Sequence, residues 1–277
     1  MKSRYLACEG RELHYVEWGE GPETVIAWHG LARTGRDMDE IAAHLARRYR
    51  VICPDTIGRG LSQWSPRPER EYCLDFYARL AVALVEQLEI RECHWLGTSM
   101  GGALGIRLAA GALKGRIRRL VLNDIGPQLG AAAVERIRTY AGKPAEFERV
   151  SELEQYFRTI YKPYGPLSDE QWRRLTETST RRTADGRITP HYDPKMVLQF
   201  EHHPGDYDQW DAYDAIDVPT LCLRGESSDL LLPDTAEAMR RRGPRAVVVT
   251  IAGCGHAPAL NVPEQFQLVE RFFNGKS

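Results

Sequence analysis

Gly97, Ser99 and Gly101 constrain the fold of this 277-residue chain more than any other feature. They form the pattern G-x-S-x-G, with a short run before it at residues 92–96 that is suited to a buried strand, and an alanine- and leucine-rich segment after it at 103–110. In a strand, sharp turn and helix, the serine occupies a strained turn, and the flanking glycines remove side chains that would collide there. The sequence therefore predicts an exposed serine hydroxyl at a sheet edge, beside a helix N-terminus that favours developing negative charge.

Apolar runs alternate with amphipathic segments through the first half of the chain. Residues 24–28 form a continuous apolar run, which is typical of a strand buried on both faces. The segment 74–88 carries apolar side chains at helical spacing and predicts an amphipathic helix. Strands that alternate with helices connect by right-handed crossovers, so we predict an α/β fold with a mostly parallel sheet. The other predicted strands cover 4–8, 12–18, 50–54, 119–123, 218–225 and 246–251, and the other helices cover 37–48, 234–241 and 264–273.

This alternation stops after Pro127. From residues 131 to 207 the pattern is helical throughout, with no strand of comparable strength, and prolines and glycines punctuate it. The sheet pattern then resumes. We therefore predict a core domain made of residues 1–126 and 211–277, and an inserted helical cap, or lid, made of residues 127–210.

Charge and composition exclude several classes of partner. The net charge is −1 and the arginine clusters are scattered, so we expect neither nucleic acid nor a membrane surface as a partner. The chain shows no apolar signal region and no membrane-length apolar stretch, so we expect a cytoplasmic protein. The six cysteines lack C-x-x-C spacing and are expected to be buried free thiols. His202-His203 lacks further ligands at suitable spacing, so we expect no metal and no cofactor.

A serine hydroxyl becomes an effective nucleophile only beside a general base that a carboxylate orients. His256 follows a predicted strand in a glycine-rich loop and fits the base for Ser99. Asp229 also follows a predicted strand, and it preserves the chain order of nucleophile, acid and histidine. Asp124 directly follows another strand and is the rival for the orienting role, and Glu226 is a second rival.

Two backbone N–H groups are expected to stabilise the negative charge that develops on a carbonyl oxygen during acyl transfer. Met100 directly follows the serine, and Leu31 lies in the loop after His29-Gly30. We expect His29 to orient this loop rather than transfer a proton, and Arg33 is suited to pair with a substrate carboxylate. The candidate substrate-binding residues are therefore Trp28, His29, Gly30, Arg33 and Trp172. The other cap aromatics, most of which we expect in the cap core, are Tyr140, Phe147, Tyr156, Phe157, Tyr161, Tyr164, Tyr192 and Phe200.

These motifs together resemble the α/β-hydrolase superfamily over nearly the whole chain. They are His29-Gly30, Asp55-x-x-Gly58-x-Gly60-x-Ser62, the turn at residues 97–102, Gly225-x-x-x-Asp229 and Gly255-His256. The resemblance implies an eight-stranded, mostly parallel sheet flanked by helices, with a helical cap inserted after the sixth strand. Within the superfamily, the chain is similar to the capped esterases, lactonases and C–C bond hydrolases. A serine at position 99 argues against the haloalkane dehalogenases. The chain has no acidic residue after His29-Gly30, so an epoxide hydrolase is unsupported.

The expected activity is that of a serine hydrolase acting through an acyl-enzyme on a small or medium carboxylic ester or lactone. The expected partner is that small molecule alone, and the expected assembly is a monomer or homodimer. One alternative is hydrolysis of a C–C bond in a ring-cleavage diketone, although Thr98 stands where that group often carries Asn. A second alternative is a ligand-binding receptor with a hydrolase-like site, because a fold does not by itself prove an activity.

Overall fold

The computed structural model describes residues 1–276, which fold around one central sheet. The strands are β1 (Lys2–Cys8), β2 (Arg11–Trp18), β3 (Glu23–Trp28), β4 (Tyr49–Pro54), β5 (Cys93–Thr98), β6 (Ile117–Asn123), β7 (Thr180–Arg182), β8 (Ile188–Pro190), β9 (Thr220–Gly225) and β10 (Val247–Ile251). The helices are α1 (Asp39–Leu45), α2 (Pro68–Glu71), α3 (Leu74–Gln87), α4 (Met100–Ala110), α5 (Ala131–Ala141), α6 (Val150–Ile160), α7 (Asp169–Thr178), α8 (Gln199–His202), α9 (Trp210–Asp214), α10 (Pro233–Met239) and α11 (Pro263–Phe273).

The sheet has the strand order β1-β2-β4-β3-β5-β6-β9-β10. β2 pairs antiparallel with both β1 and β4, whereas every pair from β4 to β10 across the rest of the sheet is parallel. The prediction of an eight-stranded, mostly parallel sheet flanked by helices is therefore confirmed. Because parallel strands end at the same edge, the loops that follow β3, β5, β6, β9 and β10 all meet on one side of the molecule.

Strand β3 shows why the central strands are apolar on both faces. Ile26 and Trp28 pack into the hydrophobic cluster that holds helices α3 and α4. Val25 and Ala27 point to the opposite cluster, which holds α1 and α11. All four side chains are fully buried. Alternate residues of a strand point to opposite faces, so helices on both sides require an uninterrupted apolar run.

The segment between β6 and β9 contains helices α5 to α9 and one short antiparallel hairpin. In that hairpin β7 pairs with β8, which our expectation of a purely helical segment missed. The two strands have three residues each and lie around the turn at Asp185-Gly186, so hydrophobic periodicity has too little length to reveal them. Helix α7 begins at a capping box, since Ser168 and Gln171 exchange side-chain to backbone hydrogen bonds.

Two further expectations concern the state of the cysteines and the presence of membrane-length helices. All six cysteines are free and buried. None of the helices within residues 1–276 combines the length and apolar character needed to cross a membrane.

Candidate active site

Ser99 occupies the sharp turn between β5 and α4. Its backbone has φ 51° and ψ −119°, a left-handed conformation that side chains rarely adopt. The two flanking glycines are required by contact: a Cβ at Gly97 would lie 2.2 Å from the carbonyl oxygen of Gly101, and one at Gly101 would lie 2.3 Å from that of Trp28. Close packing of strand, turn and helix therefore holds the strained serine in place.

His256 lies in the loop after β10 and reaches Ser99 across the edge of the sheet. The Ser99 Oγ and His256 Nε2 atoms are 2.9 Å apart. His256 Nδ1 lies 2.7 Å from Asp124 Oδ2. Because a carboxylate only accepts hydrogen bonds, Nδ1 carries the proton in this arrangement, and the lone pair on Nε2 is left to accept the serine proton.

Asp124 is the carboxylate that orients His256. It directly follows β6, its backbone is left-handed with φ 54°, and it is fully buried. Its Oδ1 accepts a 2.7 Å hydrogen bond from the Gly225 backbone N–H, and its Oδ2 accepts a 2.6 Å bond from Ser228 Oγ as well as the bond from His256. Three donors converge on one buried carboxylate, which fixes its position.

Our assignment of Asp229 to this role is corrected by these contacts. The Asp229 side chain is 51% exposed and pairs with the guanidinium of Arg136 at 2.8 Å. Ser228, the residue before it, faces Asp124 instead. The second rival, Glu226, accepts a hydrogen bond from the Gly253 backbone N–H.

The sheet register places Asp124 beside Ser99. Thr98 and Asn123 are paired residues at the ends of neighbouring parallel strands, so Ser99 and Asp124 are both the first residue after their strand. β9 lies one strand further from β5 but neighbours β10, which precedes His256, so strand order alone does not exclude a carboxylate in its loop. Sequence reasoning considered Asp124 but lacked the side-chain contacts that favour it.

The two backbone N–H groups expected to bind an oxyanion lie beside Ser99. Met100 begins α4, where a backbone N–H has no partner within the helix. A Cβ placed on Gly30 would lie 3.5 Å from the Ser99 Cβ, so the loop that carries Leu31 passes directly along the serine. Within residues 1–276, neither of these N–H groups donates a hydrogen bond to a backbone carbonyl in a turn, loop or helix cap.

His29 and Trp28 support this loop from inside the protein. His29 is fully buried, its Nδ1–H donates to the Gly30 carbonyl at 2.6 Å, and its Nε2 accepts from the Thr56 N–H at 2.9 Å. Burial lowers the pKa of His29 to about 4, although Asp55 opposes the shift. Trp28 stacks on Trp95 with ring centroids 5.5 Å apart. Both are fully buried and contribute no surface to the cavity, which corrects their assignment as substrate-binding residues.

Trp172 is likewise not among the residues that line the cavity. It packs with Leu153 and Phe157 in a small hydrophobic cluster between α6 and α7. The guanidinium of Arg158 lies over its ring, 5.6 Å from the centroid. Its assignment as a substrate-binding residue is corrected, because an aromatic side chain on the apolar face of a helix packs against the neighbouring helix.

A cavity of about 110 Å³ opens above Ser99 and His256. The loop after β3 forms one wall with Gly30, Leu31 and Arg33. The segment between β6 and β9 also contributes to the lining, with the aromatic residues Tyr140, Tyr161 and Tyr164. The cavity therefore combines aromatic side chains from this segment with the loop that passes along the serine.

Serine, histidine and aspartate on loops at one edge of a mostly parallel sheet define a class of enzymes, and the chain belongs to it. The model of the alpha/beta hydrolase family matches residues 25–266, so this protein is a member of that family. A 3-hydroxybutyrate-oligomer hydrolase from Cupriavidus necator is 39% identical over 274 residues, which cover 95% of this chain and 93% of that protein.

Two further relatives agree with this family. A 2-(acetamidomethylene)succinate hydrolase from Mesorhizobium japonicum is 26% identical over 246 residues, which cover 88% of this chain and 84% of that protein. The crystal structure of an alpha/beta hydrolase from Novosphingobium aromaticivorans superimposes with a TM-score of 0.88 at 34% identity, covering 99% of this chain and 98% of that one.

Proposed function

We propose that this protein is a serine hydrolase that cleaves carboxylic esters of short hydroxy acids through an acyl-enzyme, with oligomers of 3-hydroxybutyrate as the first substrate to test. The observation that carries the proposal is the continuous hydrogen-bond chain from Ser99 through His256 to Asp124 beneath a cavity. The substrate class is supported by the 39% identity to a 3-hydroxybutyrate-oligomer hydrolase over nearly the full length of both chains.

In the first half of the reaction, Ser99 Oγ attacks the ester carbonyl carbon while His256 Nε2 takes the hydroxyl proton. Asp124 stabilises the resulting imidazolium and keeps its ring aligned. The N–H groups of Leu31 and Met100 donate hydrogen bonds to the oxyanion of the tetrahedral intermediate. When the intermediate collapses, the C–O bond to the alcohol breaks and His256 returns the proton to the departing oxygen. The acyl group remains on Ser99.

In the second half, water attacks the acyl carbon and His256 takes one of its protons. The second tetrahedral intermediate collapses, the carboxylic acid leaves, and the proton on His256 returns to Ser99 Oγ. Bond making and proton transfer use the same three side chains in both halves.

Residues 127–210 act as a cap over this site, while residues 1–126 and 211–277 form the catalytic core. The support is that Tyr140, Tyr161 and Tyr164 come from the inserted segment and line the cavity above Ser99. A wall of this kind limits access of bulk water to the serine and selects the size of the substrate.

The substitution Ser99→Ala tests the function. We expect kcat on the 3-hydroxybutyrate dimer to fall by at least about 10⁴-fold, because the nucleophile is removed and only binding and oxyanion contacts remain. Released 3-hydroxybutyrate is measured for the wild type and the variant, beside a p-nitrophenyl ester series from acetate to decanoate. The circular dichroism spectrum and Tm serve as controls for folding.

Two results would contradict this function. Equal turnover by the folded Ser99→Ala variant would remove the serine from the mechanism. Turnover of a yellow ring-cleavage diketone in the absence of any ester hydrolysis would favour C–C bond cleavage instead.

A further inference from the structure

Arg33 is a buried cation with one unused end. Its side chain is 4% exposed and lines the cavity above Ser99. Its Nε donates to Asp37 Oδ2 at 2.6 Å, and its Nη2 donates to Asp37 Oδ1 at 2.7 Å and to Ser179 Oγ at 2.9 Å. Its Nη1 has no hydrogen-bond partner within the described residues 1–276. The Tyr161 side chain also interacts with this guanidinium, and Nη1 carries the least saturated N–H groups of the fork.

The surroundings of Arg33 hold its guanidinium in one position. The rings of Tyr161 and Phe157 face the guanidinium carbon, with centroids at 4.6 and 5.5 Å. Asp37 fixes one edge of the fork in a bidentate pair. Burial acts to lower the pKa of Arg33, but the Asp37 carboxylate and the nearby tyrosines outweigh it and raise that pKa, so the side chain stays charged. The guanidinium is thus held without the rotamer freedom of a surface arginine.

Arg33 and Ser99 border the same small space. A Cβ placed on Gly30 would lie 3.5 Å from the Ser99 Cβ and 3.9 Å from the Arg33 Cγ. In a 3-hydroxybutyrate dimer, four bonds separate the carbonyl carbon under attack from the free carboxylate carbon, a span of about 5 Å. A substrate bound at Ser99 therefore places its carboxylate in the cavity that Arg33 also lines.

The other arginines that line this cavity do not offer the same group. Like Arg33, each has a carboxylate partner: Arg36 with Asp39, Arg174 with Glu40, and Arg136 with Asp229. Unlike Arg33, none of them has a buried nitrogen left without a partner within residues 1–276. All three are more exposed than Arg33. Among the residues in 1–276 that carry a buried side-chain nitrogen without a partner, Arg33 is the one that lines the cavity.

We propose that Arg33 Nη1 binds a free carboxylate of the substrate, so that the enzyme prefers esters that carry an anionic group a few bonds from the ester they break. This inference rests on the proposed ester hydrolysis and adds a specificity-determining residue to it. A planar guanidinium with one free edge matches a carboxylate oxygen, and pairing in a buried site excludes the competing hydration of both groups.

The test compares the 3-hydroxybutyrate dimer as its free acid with the methyl ester of the same dimer. The two substrates share the ester under attack, and the methyl ester replaces the terminal charge by a neutral group. Because this group is a second ester, cleavage of the shared ester is measured through the release of methyl 3-hydroxybutyrate rather than of methanol. We expect kcat/KM of the wild type to favour the acid by about 10- to 100-fold, the range for a hydrogen bond to a charged group. In Arg33→Gln we expect this preference to fall to within about 3-fold, with the loss confined to the acid.

Arg158→Gln is the matched control. Arg158 lies on α6 beside Phe157, pairs with Glu154 and Asp169, and does not line the cavity. The change removes the same charge from the same region, and we expect the acid preference to stay at the wild-type value. Arg33→Lys keeps the charge without the fork, and we expect it to retain part of the preference.

The outcomes separate this inference from the proposed function. Equal kcat/KM for acid and methyl ester in the wild type, with hydrolysis that depends on Ser99, overturns the role of Arg33 and leaves the ester hydrolase intact. A preference that persists in folded Arg33→Gln overturns it as well. Absence of any Ser99-dependent hydrolysis overturns the proposed function. Calorimetric titration of the Ser99→Ala protein then tests the role of Arg33 by itself. Binding of the acid but not of its methyl ester supports this role, and equal binding of the two overturns it.

Discussion

The loops that follow β6 and β9 each present an aspartate, and the two side chains have opposite surroundings. Asp124, after β6, is fully buried and accepts three hydrogen bonds, one of them from His256. Asp229, after β9, is half exposed and pairs with Arg136 at the surface. The β9 loop still contributes to the site, because Ser228 and the Gly225 N–H both donate to Asp124. A loop can thus position the carboxylate that contacts the histidine without supplying it.

The difference shows that the strand next to the one that precedes the histidine need not supply the carboxylate. β9 neighbours β10, which precedes His256, yet Asp124 in the loop after β6 is the residue that contacts the histidine. β6 is next to β5 and its end is in register with the strand that delivers Ser99. The β9 loop reaches the same place by wrapping a serine and a backbone N–H around Asp124. Asp124 needs these hydrogen-bond donors because a buried carboxylate without them is strongly destabilised.

The largest effect is expected from the pair of variants Asp124→Asn and Asp229→Asn, which tests this comparison directly. We expect Asp124→Asn to lower kcat on the ester substrate by about 10³- to 10⁴-fold, because the amide no longer stabilises the Nδ1–H tautomer and the imidazolium. We expect Asp229→Asn to stay within about 2-fold of the wild type, as for an exposed residue away from the reacting atoms. Steady-state kinetics and Tm of both variants check this. The opposite ranking would restore Asp229 to the role given to it on sequence grounds.

A smaller effect is expected from Ser228→Ala. Ser228 Oγ donates to Asp124 Oδ2 and also accepts hydrogen bonds from the N–H groups of Leu230 and Leu231. Losing one donor to a buried carboxylate is expected to lower kcat by about 5- to 10-fold while KM changes little.

Ser227→Ala is the matched control for Ser228. The Ser227 hydroxyl donates to the Cys254 carbonyl at 3.2 Å and does not touch Asp124. We expect its kcat to equal that of the wild type and Ser228→Thr to recover activity. Equal losses in both alanine variants would show that the loop acts only through its overall stability.

The smallest expected effect concerns the ion pair between Asp229 and Arg136. Both side chains are about half exposed, at 51% and 49%. We expect Arg136→Gln to lower the free energy of unfolding by no more than about 0.5 kcal/mol, and added salt to reduce that difference. Urea denaturation at low and high ionic strength measures it. A loss of several kcal/mol would mean that the β9 loop is held by this pair rather than by its contacts with Asp124.

The sequence alone was sufficient for features that depend on neighbouring residues. The strand, turn and helix around Ser99 follow from an apolar run, two glycines and a helical pattern, and the alternation of elements predicts the parallel sheet. It also directed attention to His256, because the histidine follows the last strand in a glycine-rich loop. Local patterns express backbone conformation and burial, and these are set by residues a few positions apart.

Tertiary structure decided the features that depend on which strands are neighbours. Asp124 and Gly225 lie 101 positions apart in the chain and meet through a hydrogen bond, which no local pattern encodes. The same holds for Trp28 and Trp172, whose aromatic rings are equally suited to a core or a pocket until their packing is known. Arg33 shows the point most directly: its charge is visible in the sequence, but only the fold leaves one nitrogen of its buried guanidinium without an acceptor.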